Sequence, residues 1–296
     1  MHSQPPSLPA GTKVVVRTTR RVGMIHQAQG GGRYDVKFPE GQVESHTRGG
    51  LTIFRHEMEL AVGEIEPDSL RPFIHYVCVV GSRAYGLDME SSDTDRRGFF
   101  LPPADLHWSL AALPEQIEDE REQECYWELE KYLRMALKAN PNVLETLYSP
   151  LTEKVSPLAG ELLAMREAFL SRTVHQSFNG YVLSQFKKME QDLRGNGEAR
   201  WKHAMHLVRL LLSGITVLRG GFVTLNVEPH REQLLAIKSG EMAWEEMDRW
   251  RLDLHKQFDA ALAATSLPER PDYQRVNAFL LRARRMAAEP GYAVKG

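Results

Sequence analysis

Cysteine is almost missing from this chain, whose 296 residues include two, Cys78 and Cys125. Each lies in an apolar run, so both read as core thiols rather than a disulfide or a metal pair, and a reducing, cytoplasmic location is expected. No run of eighteen apolar residues occurs, which excludes a helical membrane span. The opening MHSQPPSLPAG lacks the apolar stretch of a signal peptide and reads as a Pro-rich, mobile lead. Charge of one sign is lacking as well. Lys and Arg number 37 against 39 Asp and Glu, so bulk charge alone does not select a polyanionic partner. The length leaves room for two or three domains with a substantial core.

What is present concentrates between Phe73 and Leu101, FIHYVCVVGSRAYGLDMESSDTDRRGFFL. Ile74–Val80 is a β-branched and aromatic run that predicts a buried central strand. Gly81 then permits a sharp turn and close approach of the backbone to a ligand, and Ser82 adds a hydroxyl and a free amide suited to a phosphate oxygen. Asp93 and Asp95 open a second expected strand. There, residues two apart share a face, so both carboxylates project together. Their mutual repulsion is relieved by a hard divalent cation, Mg²⁺ or Mn²⁺, carrying a bound polyphosphate. Arg96 and Arg97 follow, within reach of a phosphate or of these acids. Pro102-Pro103 stops the strand.

Val80, Gly81, Ser82, Asp93 and Asp95, so spaced, resemble the signature of the DNA polymerase β-like nucleotidyltransferases. Thr94 is more polar than the residue usual between the two acids. The resemblance implies an α+β core that binds a nucleoside triphosphate (NTP) at Gly81, Ser82 and Arg83, with metal at Asp93 and Asp95. It also implies a third carboxylate on a neighbouring strand. Glu124 is chosen because it abuts the apolar Cys125-Tyr126-Trp127, with Glu122 as the alternative. Residues 115–122 are a charge run of solvated-loop type. Trp127–Leu147 reads as helix, with Asn140 suited to cap the next helix and Pro141 to its first position. Asn140, Pro141, Leu144, Glu145 and Leu147 further resemble a bacterial branch of the superfamily associated with RNA repair. Glu145 is either structural or orients the site.

From Pro157 to Ala288 the pattern is helical, with breaks at Gly195-Asn196-Gly197, Gly220-Gly221 and Pro268–Pro271. Tyr181, Gln185 and Lys188 share one helix face, as do Lys202, His206 and Arg209 on the next. The second set aligns three donors for a triphosphate, pyrophosphate or RNA backbone. A zinc pair at His203 and His206 is disfavoured by the absence of nearby Cys or further His. The same branch has a Lys-His-x-x-His-x-x-Arg helix and a late Leu-Pro-x-x-Pro-Asp segment, matched here by Leu267, Pro268, Pro271 and Asp272. The likeness covers residues 70 to 287.

Residues 11–55 lie outside that likeness. Five short strands, Lys13–Arg17, Val22–Gln27, Arg33–Phe38, Gln42–Ser45 and Leu51–Phe54, are expected with turns at Gly30-Gly31-Gly32 and Pro39-Glu40-Gly41. They suit an SH3- or KOW-like barrel. Residues 1–56 carry eight Lys/Arg against three acids, a local excess of +5. That excess serves either RNA phosphates or solubility. Tyr34 and Phe38 alternate with Val36 and read as core. The expected organisation is therefore a barrel at 1–56, a nucleotidyltransferase core at 57–155 and a helical domain at 156–296 closing the cleft. The expected reaction is metal-dependent transfer of a nucleoside monophosphate to a hydroxyl of an RNA 3′ end. Adenylyl transfer to a protein or small molecule, or RNA binding without catalysis, are the alternatives.

Overall fold

The computed structural model describes residues 8–54, 65–90, 92–196 and 201–294, the side chains of 190 and 193–196 excepted. The expected mobile lead falls largely outside these residues, as do Gly197 of the expected break and the 56/57 boundary. The described residues form two compact units. One holds those up to Ile65 together with Leu106–Leu113; the other holds Glu66–Asp105 and those from Pro114 onward.

The first unit is built on five strands: β1 (Lys13–Val16), β2 (Val22–Gln29), β3 (Arg33–Lys37), β4 (Val43–Thr47) and β5 (Leu51–Ile53). They form one antiparallel sheet in the order β4-β3-β2-β1-β5. Alternation places Val14, Val16, Ile25, Tyr34, Val36, Phe38 and Leu51 in a single small core. Tyr34 and Phe38 are thus packing residues, as their spacing predicts. Arg21 lies over the Phe38 ring at 3.8 Å and pairs with Glu44 at 2.7 Å. Part of the basic excess is accordingly engaged within the unit.

The second unit centres on a mixed sheet of β6 (Ile74–Val80), β7 (Asp95–Phe100), β8 (Gln116–Asp119), β9 (Glu124–Glu128) and β10 (Thr152–Val155), in the order β10-β6-β7-β9-β8. Every residue of β6 is buried, as a run of apolar and aromatic side chains interrupted only by His75 requires of a central strand. β7 runs antiparallel to β6 and parallel to β9. β8 corrects the expected loop at 115–122: Ile117, the one apolar residue there, is fully buried and pins an edge strand. β10 was not predicted, because TEKV carries no apolar alternation.

Helices α1 (Gly81–Tyr85), α2 (Ala104–Trp108), α3 (Leu129–Leu137), α4 (Pro141–Tyr148) and α5 (Pro157–Ala164) follow the strands. The remainder is α6 (Thr173–Asn196), α7 (Trp201–Gly220), α8 (Arg231–Ser239), α9 (Trp244–Ala264) and α10 (Tyr273–Met286). The helical stretch expected over 127–147 is two helices, the second starting where its cap at Asn140 is expected, and Trp127 belongs to β9 instead. Asn140 Oδ1 accepts from the Asn142 amide at 3.0 Å and Pro141 opens the second, so the capping chemistry read from the sequence divides the segment. Tyr76, Cys78, Val80 and Phe99 on one sheet face share a core with Leu144, Phe178, Leu211 and Phe258 of the helices. Sheet and helices therefore fold around common apolar contacts. No helix among the described residues is long and apolar enough to cross a membrane.

Candidate active site

The chain leaves β6 directly into α1. Gly81 is the first residue of that short helix, at φ +72°, so the expected turn is a helix start. A Cβ at Gly81 would collide with the Asp95 carboxylate; the glycine makes room for the acid as well as for the bend. Val80 and Asp95 are paired across the antiparallel ladder, which brings these two features together. Asp93 lies two residues before β7 begins, in the preceding loop rather than on the strand.

Gly81, Ser82, Asp93 and Asp95 line a cavity of about 460 Å³ with Lys202, Met205 and His206 of α7 and Lys238 of α8. Six predicted site residues thus meet across the boundary between strand ends and helices. Lys238 has no counterpart in the sequence reading: AIKSG carries no motif, and only the packing of α8 beside α7 brings it here. Tyr85 also lines the cavity and was equally without a signal.

His206 is pushed down to about 3, first by burial and then by the positive charges of Arg209, Lys202, His203 and Lys238. At neutral pH it is therefore a neutral hydrogen-bonding group, and the site's mobile positive charge rests on the two lysines. His203 is turned to the neighbouring helix, its Nδ1 2.9 Å from Gln185 Oε1. No cluster of three or more potential His, Cys, Asp or Glu metal ligands occurs among the described residues.

Three predicted site residues lie elsewhere. Arg209 is 5% exposed, and its Nη1 donates to Glu145 Oε1 at 2.5 Å while the guanidinium lies 3.9 Å over the Tyr85 ring. Tyr85 in turn donates to Glu145 Oε2 at 2.5 Å. Burial opposes the Arg209 charge, but Glu145 and Tyr85 outweigh it and hold the guanidinium protonated. Arg209 thus braces the wall of the cavity and does not line it. Arg83 does not line it either: its Nη2 donates to the Ser92 carbonyl at 2.9 Å, holding the loop that carries Asp93.

Glu124 is the third correction. The parallel register pairs Arg96 with Glu124 and Arg97 with Cys125, so Glu124 shares the face of Arg96, opposite that of Asp95 and Arg97. It instead accepts from Arg71 Nη1 at 2.7 Å, and this contact raises the Arg71 guanidinium further. Glu122 is in the turn before β9, where its amide donates to Asp119. On the Asp95 face of β9 stands Cys125, whose thiol burial pushes up, away from ionisation.

The donor set nevertheless fits a hard divalent ion. Two carboxylates meet beside a backbone stripped of its Cβ, and Mg²⁺ commonly takes one or two protein carboxylates and completes its shell with phosphate oxygens and water.

Among curated proteins, the chain is similar to the uncharacterized protein YcgL of Bacillus subtilis (strain 168). The two are 30% identical over 149 residues, covering 47% of this chain and 54% of the relative; the chain thus spans about half of that protein's length. Residues 55–282, which hold the two carboxylates, the Gly81-Ser82 start of α1 and both lysines, match the RNA repair pathway DNA polymerase beta family, RlaP, and this chain belongs to that family.

Proposed function

We propose that this protein transfers a nucleoside monophosphate from an NTP to a hydroxyl at an RNA 3′ end, with release of pyrophosphate. The observation that carries the reading is the cavity in which Gly81, Ser82 and two carboxylates face Lys202 and Lys238. In the reaction the acceptor oxygen bonds to the α-phosphorus, the bond from that phosphorus to the β-phosphate oxygen breaks, and the hydroxyl proton passes to solvent. The Ser82 hydroxyl and the amides that open α1 bind the β- and γ-phosphate oxygens. Lys202 and Lys238 balance the charge of the triphosphate and the departing pyrophosphate, and His206 donates one neutral hydrogen bond. Asp93 and Asp95 would hold Mg²⁺ (or Mn²⁺), which when bound lowers the pKa of the acceptor hydroxyl and neutralises phosphate charge.

The family's RNA repair description supports RNA as the acceptor. In this reading the sheet and its first helices act as a polymerase β-like core and α6–α10 close the cleft. The first unit acts as an SH3- or KOW-like barrel whose local excess of basic residues holds RNA phosphates.

The test is incubation with each labelled NTP, Mg²⁺ and a mixed tRNA pool, beside an Asp93→Ala/Asp95→Ala variant. Carboxylate-dependent extension of RNA 3′ ends supports the reading. Label on protein or on a small acceptor, or NTP binding without transfer, overturns the RNA assignment.

A further inference from the structure

A second cavity, of about 300 Å³, lies along another stretch of α7, bounded by the segment 224–230 and by α9. Four donor-bearing residues of α7 line it in a row: Arg209, Ser213, Thr216 and Arg219, spaced four, three and three residues apart. The two innermost are distinctive. Arg209 and Ser213 are 5% and 6% exposed, and Arg209 Nε and Ser213 Oγ find no hydrogen-bond partner in the protein. An unpaired buried donor is costly, and two on successive turns of one helix, lining one cavity, point to an acceptor that the chain itself does not supply. Arg219 is exposed and extends the donor row, and His230 adds an imidazole. No carboxylate of the described residues lines the cavity, so nothing there competes with an anion. Trp250 and Leu254 supply an apolar wall. The volume is at the lower end for small-molecule sites and cannot take a nucleic-acid duplex.

We propose that this cavity binds the phosphate group of a small phosphorylated molecule, separately from the catalytic cavity, through Arg209 Nε–H, Ser213 Oγ–H and Arg219. Arg209 links the two places. Its Nη1 is committed to Glu145 and its face to Tyr85, whose ring lines the catalytic cavity, leaving Nε for the second ligand. A ligand on Nε therefore bears on the wall of the catalytic cavity without entering it.

The experiment is calorimetric titration of the full chain, without divalent metal, using inorganic phosphate and ribose 5-phosphate. The same titrations are run on Ser213→Ala, Arg219→Gln and Lys238→Gln variants. Saturable binding is expected in the native chain and in Lys238→Gln, weakened about tenfold by Ser213→Ala or Arg219→Gln. Phosphate and ribose 5-phosphate together distinguish a bare anion site from one that also uses the apolar wall. Ser213→Ala keeps the test independent of folding: removing an unpaired buried hydroxyl should leave the ligand-free melting temperature equal or higher while the ligand-induced rise shrinks. Three results overturn the proposal. These are no saturable binding of either probe, binding unchanged in both cavity variants, or binding lost in Lys238→Gln, which would place the anion in the catalytic cavity.

Discussion

Glu145 holds Arg209 with one carboxylate oxygen and the Tyr85 hydroxyl with the other, both at 2.5 Å, and so ties α4 to α7 and α1 beside the candidate cavity that Tyr85 lines. Its place in the sequence left it either structural or orienting; the geometry makes it the brace of the cavity wall. Removing one partner of a buried ion pair strands the other. Glu145→Ala should therefore lower stability by about 3–5 kcal/mol, and Glu145→Ala with Arg209→Met should cost less than the sum of the single changes. Urea unfolding of the two single variants and the double variant, analysed as a cycle, checks this.

Gly81→Ala sets a methyl group against the Asp95 carboxylate and forces an alanine to positive φ. Strain of this kind costs about 1–3 kcal/mol, and displacing the carboxylate should reduce nucleotidyl transfer by about 100-fold or more. Single-turnover rates at saturating NTP, with thermal melts alongside, distinguish the displaced carboxylate from a general loss of fold.

Glu124→Gln should keep transfer within about threefold of the native rate, because its carboxylate is on the sheet face away from Asp95. Asp93→Asn and Asp95→Asn should each abolish it. An equally inactive Glu124→Gln protein, with an unchanged melting temperature, would return Glu124 to the catalytic set.

Lys238→Gln should weaken NTP binding about five- to tenfold by removing one of the two lysines that line the candidate cavity. His206→Gln should change it little at pH 7, since the imidazole there is already neutral. Equilibrium binding of a labelled non-hydrolysable NTP compares the two. A larger loss from His206→Gln than from Lys238→Gln would reverse the assignment of charge.

His75 is 3% exposed between Ser156 and Tyr292, its Nδ1 2.8 Å from Ser156 Oγ and its Nε2 2.6 Å from Tyr292 Oη. Burial, assisted by Lys154, lowers it from 6.5 to about 4. The unfolded chain therefore takes up the proton first as pH falls. Above pH 6.5 the group leaves stability unchanged; between 6.5 and 4 it progressively favours unfolding. The loss at pH 5 should be about 1–2 kcal/mol. Melting temperatures from pH 7.5 to 4.5 should fall less steeply for His75→Asn than for the native chain.

Legibility followed the physics of each element. β6 was plain because a β-branched and aromatic run interrupted only by His75 can only be buried from both sides, and the meeting of Gly81, Asp93 and Asp95 at one cavity was plain because they are joined by short spacings. The strands of the first unit were readable to within two residues because glycine turns punctuate them. Glu124 failed because its face depends on the register of a parallel pair, β7 with β9, that only the crossover between them sets. Arg209 failed for a related reason: helical periodicity aligned it with Lys202 and His206, but Glu145, 64 residues away, captures it. Lys238 and Tyr85 have no signal short of the tertiary packing that brings α8 and α1 to one cavity.

The order β10-β6-β7-β9-β8 leaves β6 and β7 without a free edge. Amide protons of Val77, Val79 and Gly98 can then exchange with solvent only when the whole sheet opens, and they should be among the slowest in the molecule. The Asp95 side of the candidate cavity is accordingly held by the sheet. If the proposed reaction needs the cavity to widen, α7 and α8 are the elements expected to move, and turnover and hydrogen exchange in those two helices should then rise and fall together.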